Sequence, residues 1–127
     1  MAQKLTIARA KDMPFTDLVE EADAIVAEYS KPDFETPEDE RERISRTLDE
    51  VPDVYRWFLT LQSWFGHWAD AYSDQFGTRS TEFRSMRQRR DAMENAARAA
   101  KLRYEGASRR ITLILDDQQA ASLPRGR

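Results

Sequence analysis

The feature of this sequence that most constrains its fold is a proline-free run from Thr81 to Leu115 with a regular apolar pattern. Its apolar side chains recur at steps of three and four, the spacing of one helix face. The seam consists of Phe83, Met86, Arg90, Met93, Ala97, Ala100, Tyr104, Ala107, Ile111 and Ile114. A seam of this length predicts one long helix that packs along a partner helix in the manner of a coiled coil.

The partner for this helix precedes it directly in the chain. Residues 54–76 carry a stripe of large side chains at helical spacing: Val54, Trp57, Phe58, Leu61, Trp64, Phe65, Trp68 and Tyr72. Gly77 is expected to end this helix, and a tight turn then makes the two helices antiparallel, with facing residue numbers that sum to about 156. Trp57 and Trp64 are expected to face the alanine-rich segment 92–100, large side chains against small ones. The pattern therefore predicts a long helical hairpin.

Two shorter helices are predicted in the N-terminal half. An amphipathic helix is expected over 16–29, and Thr36 followed by Pro37 marks the start of an acidic helix over 37–50. Pro52 is expected to end that helix, because proline lacks the amide donor that a helix interior uses. The predicted fold is a single all-α domain, with 1–15 as an irregular arm, 16–51 as acidic short helices, 53–116 as the hairpin and 117–127 as a frayed tail.

The predicted hairpin leaves apolar residues uncovered at its open end. If the first arm starts at residue 53, its partner surface on the second arm ends near residue 103. The apolar residues beyond that point need the 16–29 helix or another subunit to cover them. Together with the acidic helix they form the predicted protein-partner surface, which consists of Glu38, Asp39, Glu40, Glu42, Tyr104, Ile111 and Leu115.

The residues that carry most enzyme chemistry are scarce. The chain has no cysteine, and its one histidine, His67, sits among aromatic residues with no identifiable orienting carboxylate. Its four glycines are isolated, so no phosphate-binding loop is predicted, and no metal-ligand spacing occurs. We therefore expect a non-catalytic protein with no metal, no cofactor and no small-molecule substrate.

No apolar run approaches the length of a membrane span, and no secretory signal is visible at the N-terminus. We therefore expect no membrane contact and a cytoplasmic location.

Charge is distributed unevenly along the chain, although the net charge is only −3. Residues 1–53 contain 15 acidic and 7 basic side chains, whereas residues 79–127 contain 12 basic and 6 acidic ones. Two interpretations stay open: the halves neutralise each other, or the basic helix binds phosphates. The predicted nucleic-acid-binding residues are Arg84, Arg87, Arg98, Lys101, Arg109 and Arg110.

Acidic residues interrupt this basic stripe and are expected to form ion pairs within the helix, such as Arg87–Asp91 and Glu94–Arg98. Two residues also depart from the apolar pattern of the hairpin. Gly66 is expected to allow a neighbouring helix to approach closely, with a kink or a slot for a partner as the alternative. Arg90 lies on the apolar seam, where an unpaired charge is unfavourable. Its guanidinium is expected to extend to water, to meet a partner's carboxylate, or to pair with Asp70 or Asp74.

The order of an aromatic-rich helix, a basic alanine-containing helix and the segment "KLRYEG" resembles the central region of phage recombination mediator proteins over residues 54–108. Those are small helical proteins that assemble into rings and load a recombinase onto single-stranded DNA. The resemblance implies oligomerisation through helices and single-strand binding by lysine and arginine. The acidic N-terminal half and the negative net charge depart from that family.

Three functions are compatible with these features. The first is a phage-type accessory protein, an adaptor or inhibitor, that binds a protein partner. The second is an oligomeric nucleic-acid-binding accessory protein of the recombination-mediator kind, and the third is a structural or scaffold oligomer. The negative net charge favours the first, so we expect a protein partner or self-association, with nucleic acid as the alternative.

Overall fold

The structure, a computed structural model, describes residues 5–29 and 36–122, with side chains up to residue 119. These ranges form four helices and no strand: α1 (Ile7–Asp12), α2 (Phe15–Ala27), α3 (Pro37–Phe76) and α4 (Thr81–Ser122). Helices α3 and α4 pack against each other as the two arms of a hairpin, and α1 and α2 lie against α4. The predicted all-α hairpin is therefore confirmed. Residues 30–35, between the two predicted N-terminal helices, and the last residues of the predicted tail lie outside the described residues.

The expected break at Pro52 is wrong, because α3 continues through it. A proline in a helix interior removes one hydrogen bond and crowds the carbonyl one turn earlier. Burial on both sides of it offsets that loss, because Val51 precedes the proline, Phe58 follows it, and both are 0% exposed. The acidic segment 37–50 is thus the first part of the long first arm, rather than a separate peripheral helix.

The ends of the long helices follow local capping chemistry. The Thr36 hydroxyl accepts a hydrogen bond from the Asp39 amide at 3.1 Å, as the predicted start of a helix at this point requires. Gly77 ends α3 with a φ of 87°, a conformation that a side chain would disfavour. The Ser80 hydroxyl then accepts from the Phe83 amide at 3.2 Å and starts α4. The α4 helix extends to Ser122, beyond the predicted end of the hairpin.

Two contacts fix the register of the hairpin. A Cβ atom placed on Gly66 would lie 3.3 Å from the Cδ of Arg90. The numbers of these two facing residues sum to 156, as predicted. Gly66 therefore does allow a close approach, and the group that approaches is the stem of Arg90. Nearer the open end, Glu40 Oε1 accepts a hydrogen bond from Arg110 Nη2 at 2.9 Å. The first turns of α3 therefore cover part of the distal end of α4.

The core lies along the seam between the two arms. Large α3 side chains face small α4 ones, but Phe58, Leu61 and Phe65, rather than the tryptophans, are fully buried. The buried residues of α4 include Met93, Ala96, Ala97 and Ala100. Trp57, Trp64 and Trp68 are half-buried beside this core. The surplus width of the aromatic stripe therefore serves a second contact, which is with the N-terminal segment.

The prediction of an irregular arm at 1–15 is wrong, because helix α1 forms within it. Two short hydrogen bonds attach the N-terminal segment that contains this helix to the hairpin. Trp57 Nε1 donates to the Leu5 carbonyl at 2.6 Å, and Arg89 Nη1 donates to the Ala10 carbonyl at 2.6 Å. The Lys11 ammonium lies 4.5 Å from the ring centroid of Trp68, within cation–π range. The N-terminal segment is thus a docked part of the fold.

Among the described residues, Arg89 is the charged side chain that is buried, whereas Arg90 follows one of the alternatives expected for it and extends to the surface. Arg89 is buried, and burial lowers the pKa of its guanidinium from the ordinary value. The Arg90 side chain is 36% exposed and pairs with its neighbour Asp91 at 3.0 Å, not with Asp70 or Asp74.

The C-terminal end of α2 is held to α3 by Tyr29, whose phenol donates to Glu50 Oε1 at 2.9 Å. Burial first, and then this hydrogen bond to a carboxylate, raise the pKa of Tyr29 to about 12 from 10.0. The neutral phenol is therefore the form that the fold favours. Its stabilising contribution is complete below pH 10 and is lost as the pH rises toward 12.

We expect the difference in phenolate absorbance between the wild-type protein and Tyr29→Phe to titrate near pH 12, because the substitution removes only this phenol. An alkaline ultraviolet titration of both proteins measures it. A difference curve centred near pH 10 would show that Tyr29 is not held against Glu50.

Candidate interaction surface

Exposed apolar side chains concentrate on the distal part of α4. Within the described residues, six large apolar side chains are exposed, and four of them lie between residues 102 and 115. They are Leu102 at 66%, Tyr104 at 39%, Leu113 at 55% and Leu115 at 56%. The other two, Leu59 and Phe76, are far apart on α3. We call these four residues, with the charged side chains between them, the distal α4 surface.

Helical spacing divides this surface into two sides. Leu102 and Leu113 are eleven residues apart, close to three turns, so they project on the same side. That side points away from the seam formed by Met93, Ala97 and Ala100. Tyr104 and Leu115 are also eleven residues apart and lie closer to α3.

The distal α4 surface stays open because the helices that cover α4 elsewhere end before it. Helix α2 ends at Ala27, and the next turn is tied to Glu50 of α3. By the register of the hairpin, Glu50 is level with about residues 100–106 of α4. Beyond that level, the described part of the chain offers α4 only the first turns of α3.

The predicted partner-binding residues of α4 differ in how exposed they are. Tyr104 and Leu115 are exposed as expected, and Ile111 is half-buried. The expectation that the apolar end extends past the first arm is wrong, because α3 begins at Pro37 and reaches Arg110.

Of the four predicted acidic residues, Glu38 and Glu42 are exposed, while Asp39 and Glu40 are half-buried. Glu40 accepts two hydrogen bonds from Arg110, at 2.9 and 3.0 Å. The predicted acidic surface is therefore reduced by a contact inside the molecule.

The same ion pair changes the predicted nucleic-acid site. Arg110 was assigned to that site, but it forms a two-pronged pair with Glu40, and this hydrogen bonding raises the pKa of its guanidinium. Arg98 pairs with Glu94 at 2.9 Å, as predicted. Arg87 lies 6.0 Å from the ring centroid of Phe83, and the predicted Arg87–Asp91 pair does not form. Three of the six predicted cations thus have partners within the protein.

Arg84, Lys101 and Arg109 are exposed and form no ion pair with the described residues. Arg84 and Arg109 share one face of α4, but 25 residues of helix separate them by about 37 Å. Asp91 lies on that face between them, and Lys101 projects to one side. These cations do not form a continuous track along α4.

Two features bear on catalysis and metal binding among the described residues, His67 and a groove between α2 and α4. His67 is exposed on the outer side of α3, and no group of three or more potential metal ligands occurs in the described ranges. An open groove of about 330 Å³ lies between α2 and α4. It is lined by Phe15, Val19, Ala22, Asp23, Gln88, Asp91, Ala92, Asn95 and Ala96, which include no histidine and no hydroxyl nucleophile.

None of the described helices combines the length and apolarity that crossing a membrane requires.

Comparison of the chain with known protein families, curated proteins and solved structures finds no match. The resemblance of residues 54–108 to phage recombination mediator proteins therefore stays a prediction.

Leu102, the most exposed member of the distal α4 surface, is not predicted from the sequence, because it lies off the seam that contains Tyr104 and Ile111. Leu113 is among the apolar residues expected to lie uncovered at the end of the helix, but it is not among the predicted partner-binding residues. The eleven-residue spacing of Leu102 and Leu113 is the signal that could have identified them.

Proposed function

We propose that this protein is a non-catalytic helical interaction protein that binds a protein partner through the distal α4 surface. The observation that carries the proposal is the concentration of exposed apolar side chains at residues 102–115. Contiguous apolar surface bordered by charges marks protein contact sites, because covering it removes apolar area from water. Such a protein acts as an adaptor or inhibitor, by bridging or blocking its partner.

Nucleic acid is a weaker candidate for the partner. Affinity for a phosphate backbone rises with the number of cations that contact it and release counterions. Arg98 and Arg110 are engaged by carboxylates within the molecule. Single-strand binding also uses exposed aromatic rings for stacking, whereas Trp57, Trp64 and Trp68 are half-buried.

Site-specific photocrosslinking tests the proposal in the cells that naturally produce the chain. A photoreactive residue at position 102 or 113 is expected to give adducts that protease removes and nuclease does not. The matched control carries the same group at Thr60, an exposed position on the outer side of α3.

Equal protein adducts at position 60 and at positions 102 and 113 would contradict the proposal. Adducts that nuclease removes would contradict it as well, and would favour the nucleic-acid alternative.

A further inference from the structure

The distal α4 surface contains a short pattern that occurs twice. Arg98, Leu102 and Glu105 are followed eleven residues later by Arg109, Leu113 and Asp116. Each set therefore presents a cation, a leucine and an anion in that order. Eleven residues are close to three turns, so both sets project on the same side of α4.

All six side chains of the two sets are exposed on the outer side of α4, and the Arg98 side chain is 73% exposed. Leu102 and Leu113, the leucines on that side, are 66% and 55% exposed. Between the two sets lies Gly106, where an added Cβ would meet nothing within 4 Å. The described part of the chain leaves room for another helix along this line.

This order of charges is self-complementary in one orientation only. When two copies of the pattern run antiparallel, Arg98 meets Asp116 of the second copy, Glu105 meets Arg109, and Leu102 meets Leu113. A two-fold axis repeats each of these contacts, which gives four opposite-charge pairs around four leucines. In a parallel, in-register arrangement every charged residue would face the same residue of the other copy, and repulsion between like charges disfavours that pairing.

We propose that the partner of the distal α4 surface is a second copy of this chain, bound antiparallel about a two-fold axis near residues 107 and 108. This inference rests on the proposed function, since it names the occupant of the same surface. Arg98 can exchange its partner Glu94 for Asp116 of the other copy, because an exposed pair within one helix contributes little. Gly106 lies near the axis, where a small residue lets two helices approach.

Light scattering on the purified chain tests the proposal. We expect the mass to rise from 14.8 kDa toward twice that value, with a dissociation constant on the order of 10 µM, as for a small specific interface. Glu105→Arg would place like charges at both symmetric contacts and raise the dissociation constant at least about tenfold. The double variant Glu105→Arg with Arg109→Glu restores the complementarity and should return the constant to within about threefold of wild type.

Orientation is tested by disulfide formation, since the chain has no cysteine of its own. A mixture of Leu102→Cys and Leu113→Cys chains should form a mixed disulfide. Each variant alone should not, because identical positions lie about 16 Å apart along antiparallel helices. Circular dichroism checks that every variant keeps its helices.

A wild-type chain that stays monomeric at about 200 µM, well above the expected constant, would overturn the second-copy proposal. So would a dimer that Glu105→Arg leaves intact, or a charge exchange that fails to restore it. A monomer whose position 102 still crosslinks to a different protein would overturn this inference alone. If neither the dimer nor a protein crosslink at position 102 is observed, both this inference and the proposed function are contradicted.

Discussion

Phe65→Ala is expected to lower the free energy of unfolding by about 4 kcal/mol, among the largest effects of a single core substitution. Phe65 is 0% exposed on the α3 face that meets α4. Its ring also packs edge-on against Trp64, with centroids 5.5 Å apart. Removing the ring deletes buried apolar area and leaves a cavity that two long, rigid helices can close only in part. Urea unfolding followed by circular dichroism at one protein concentration measures the loss.

Phe76→Ala is the matched control, because it removes the same side chain from the same helix. Phe76 is 51% exposed, so we expect a loss below about 1 kcal/mol. If Phe65→Ala does not fold, Phe65→Leu gives a smaller loss of about 1 kcal/mol that can still be compared. Equal losses at positions 65 and 76 would contradict the assignment of Phe65 to the core.

Arg89→Ala is expected to destabilise the fold by about 2 kcal/mol and to release α1 from the hairpin. The Arg89 guanidinium donates to the Ala10 carbonyl at 2.6 Å in a buried position. Without it, that carbonyl at the end of a six-residue helix loses its partner, and so short a helix has little stability of its own. Hydrogen exchange of the α1 amides should therefore accelerate more than exchange in α3 or α4.

Arg90→Ala is the neighbouring control. Among the described residues, the ion-pair partner of Arg90 is the adjacent Asp91 on the surface, and the Arg90 stem lies over Gly66. We expect a change below about 1 kcal/mol and no selective exchange in α1. Arg89→Met keeps the apolar stem and separates the lost hydrogen bond from lost packing. If the α1 amides respond alike to Arg89→Ala and Arg90→Ala, the docking of α1 does not depend on Arg89.

The parts of the fold that the sequence predicted are those set by nearby residues. The periodic seam of α4 and the aromatic stripe of α3 act over one or two turns, so each could be recognised without its partner. The turn at Gly77 and the cap at Thr36 depend on single residues with strong local preferences. The Glu94–Arg98 pair likewise lies within one helix, but Arg87–Asp91 has the same spacing and does not form, and Asp91 pairs with Arg90 instead.

The parts that sequence reasoning missed depend on contacts between distant segments. Pro52 is unfavourable in a helix by every local rule, and only the burial of residues such as Val51 keeps α3 continuous. Helix α1 has no clear period, and its position depends on Arg89, 79 residues away.

The candidate site was predicted in part for the same reason. Tyr104 and Leu115 are exposed as expected, but a predicted first arm that starts at residue 53 does not bring Glu40 to Arg110, 70 residues away.

The account depends most on α3 being one unbroken helix. Only a first arm that starts at Pro37 reaches Arg110, and that contact decides which side of α4 remains open. Spin labels at Glu38 and Asp74 test this directly, because both residues are exposed on the outer side of α3 and the chain has no cysteine. Labels at Arg56 and Asp74, both beyond Pro52, serve as the control, and excess unlabelled chain removes distances between copies.

Pulsed electron–electron double resonance on the labelled chain should give one narrow distance distribution centred at about 54 Å between positions 38 and 74, from 36 residues at 1.5 Å each. The control pair, 18 residues apart, should give about 27 Å in either case. A 38–74 distance that is much shorter or broadly distributed, beside a normal control, would show that the helix breaks at Pro52 and would contradict the account.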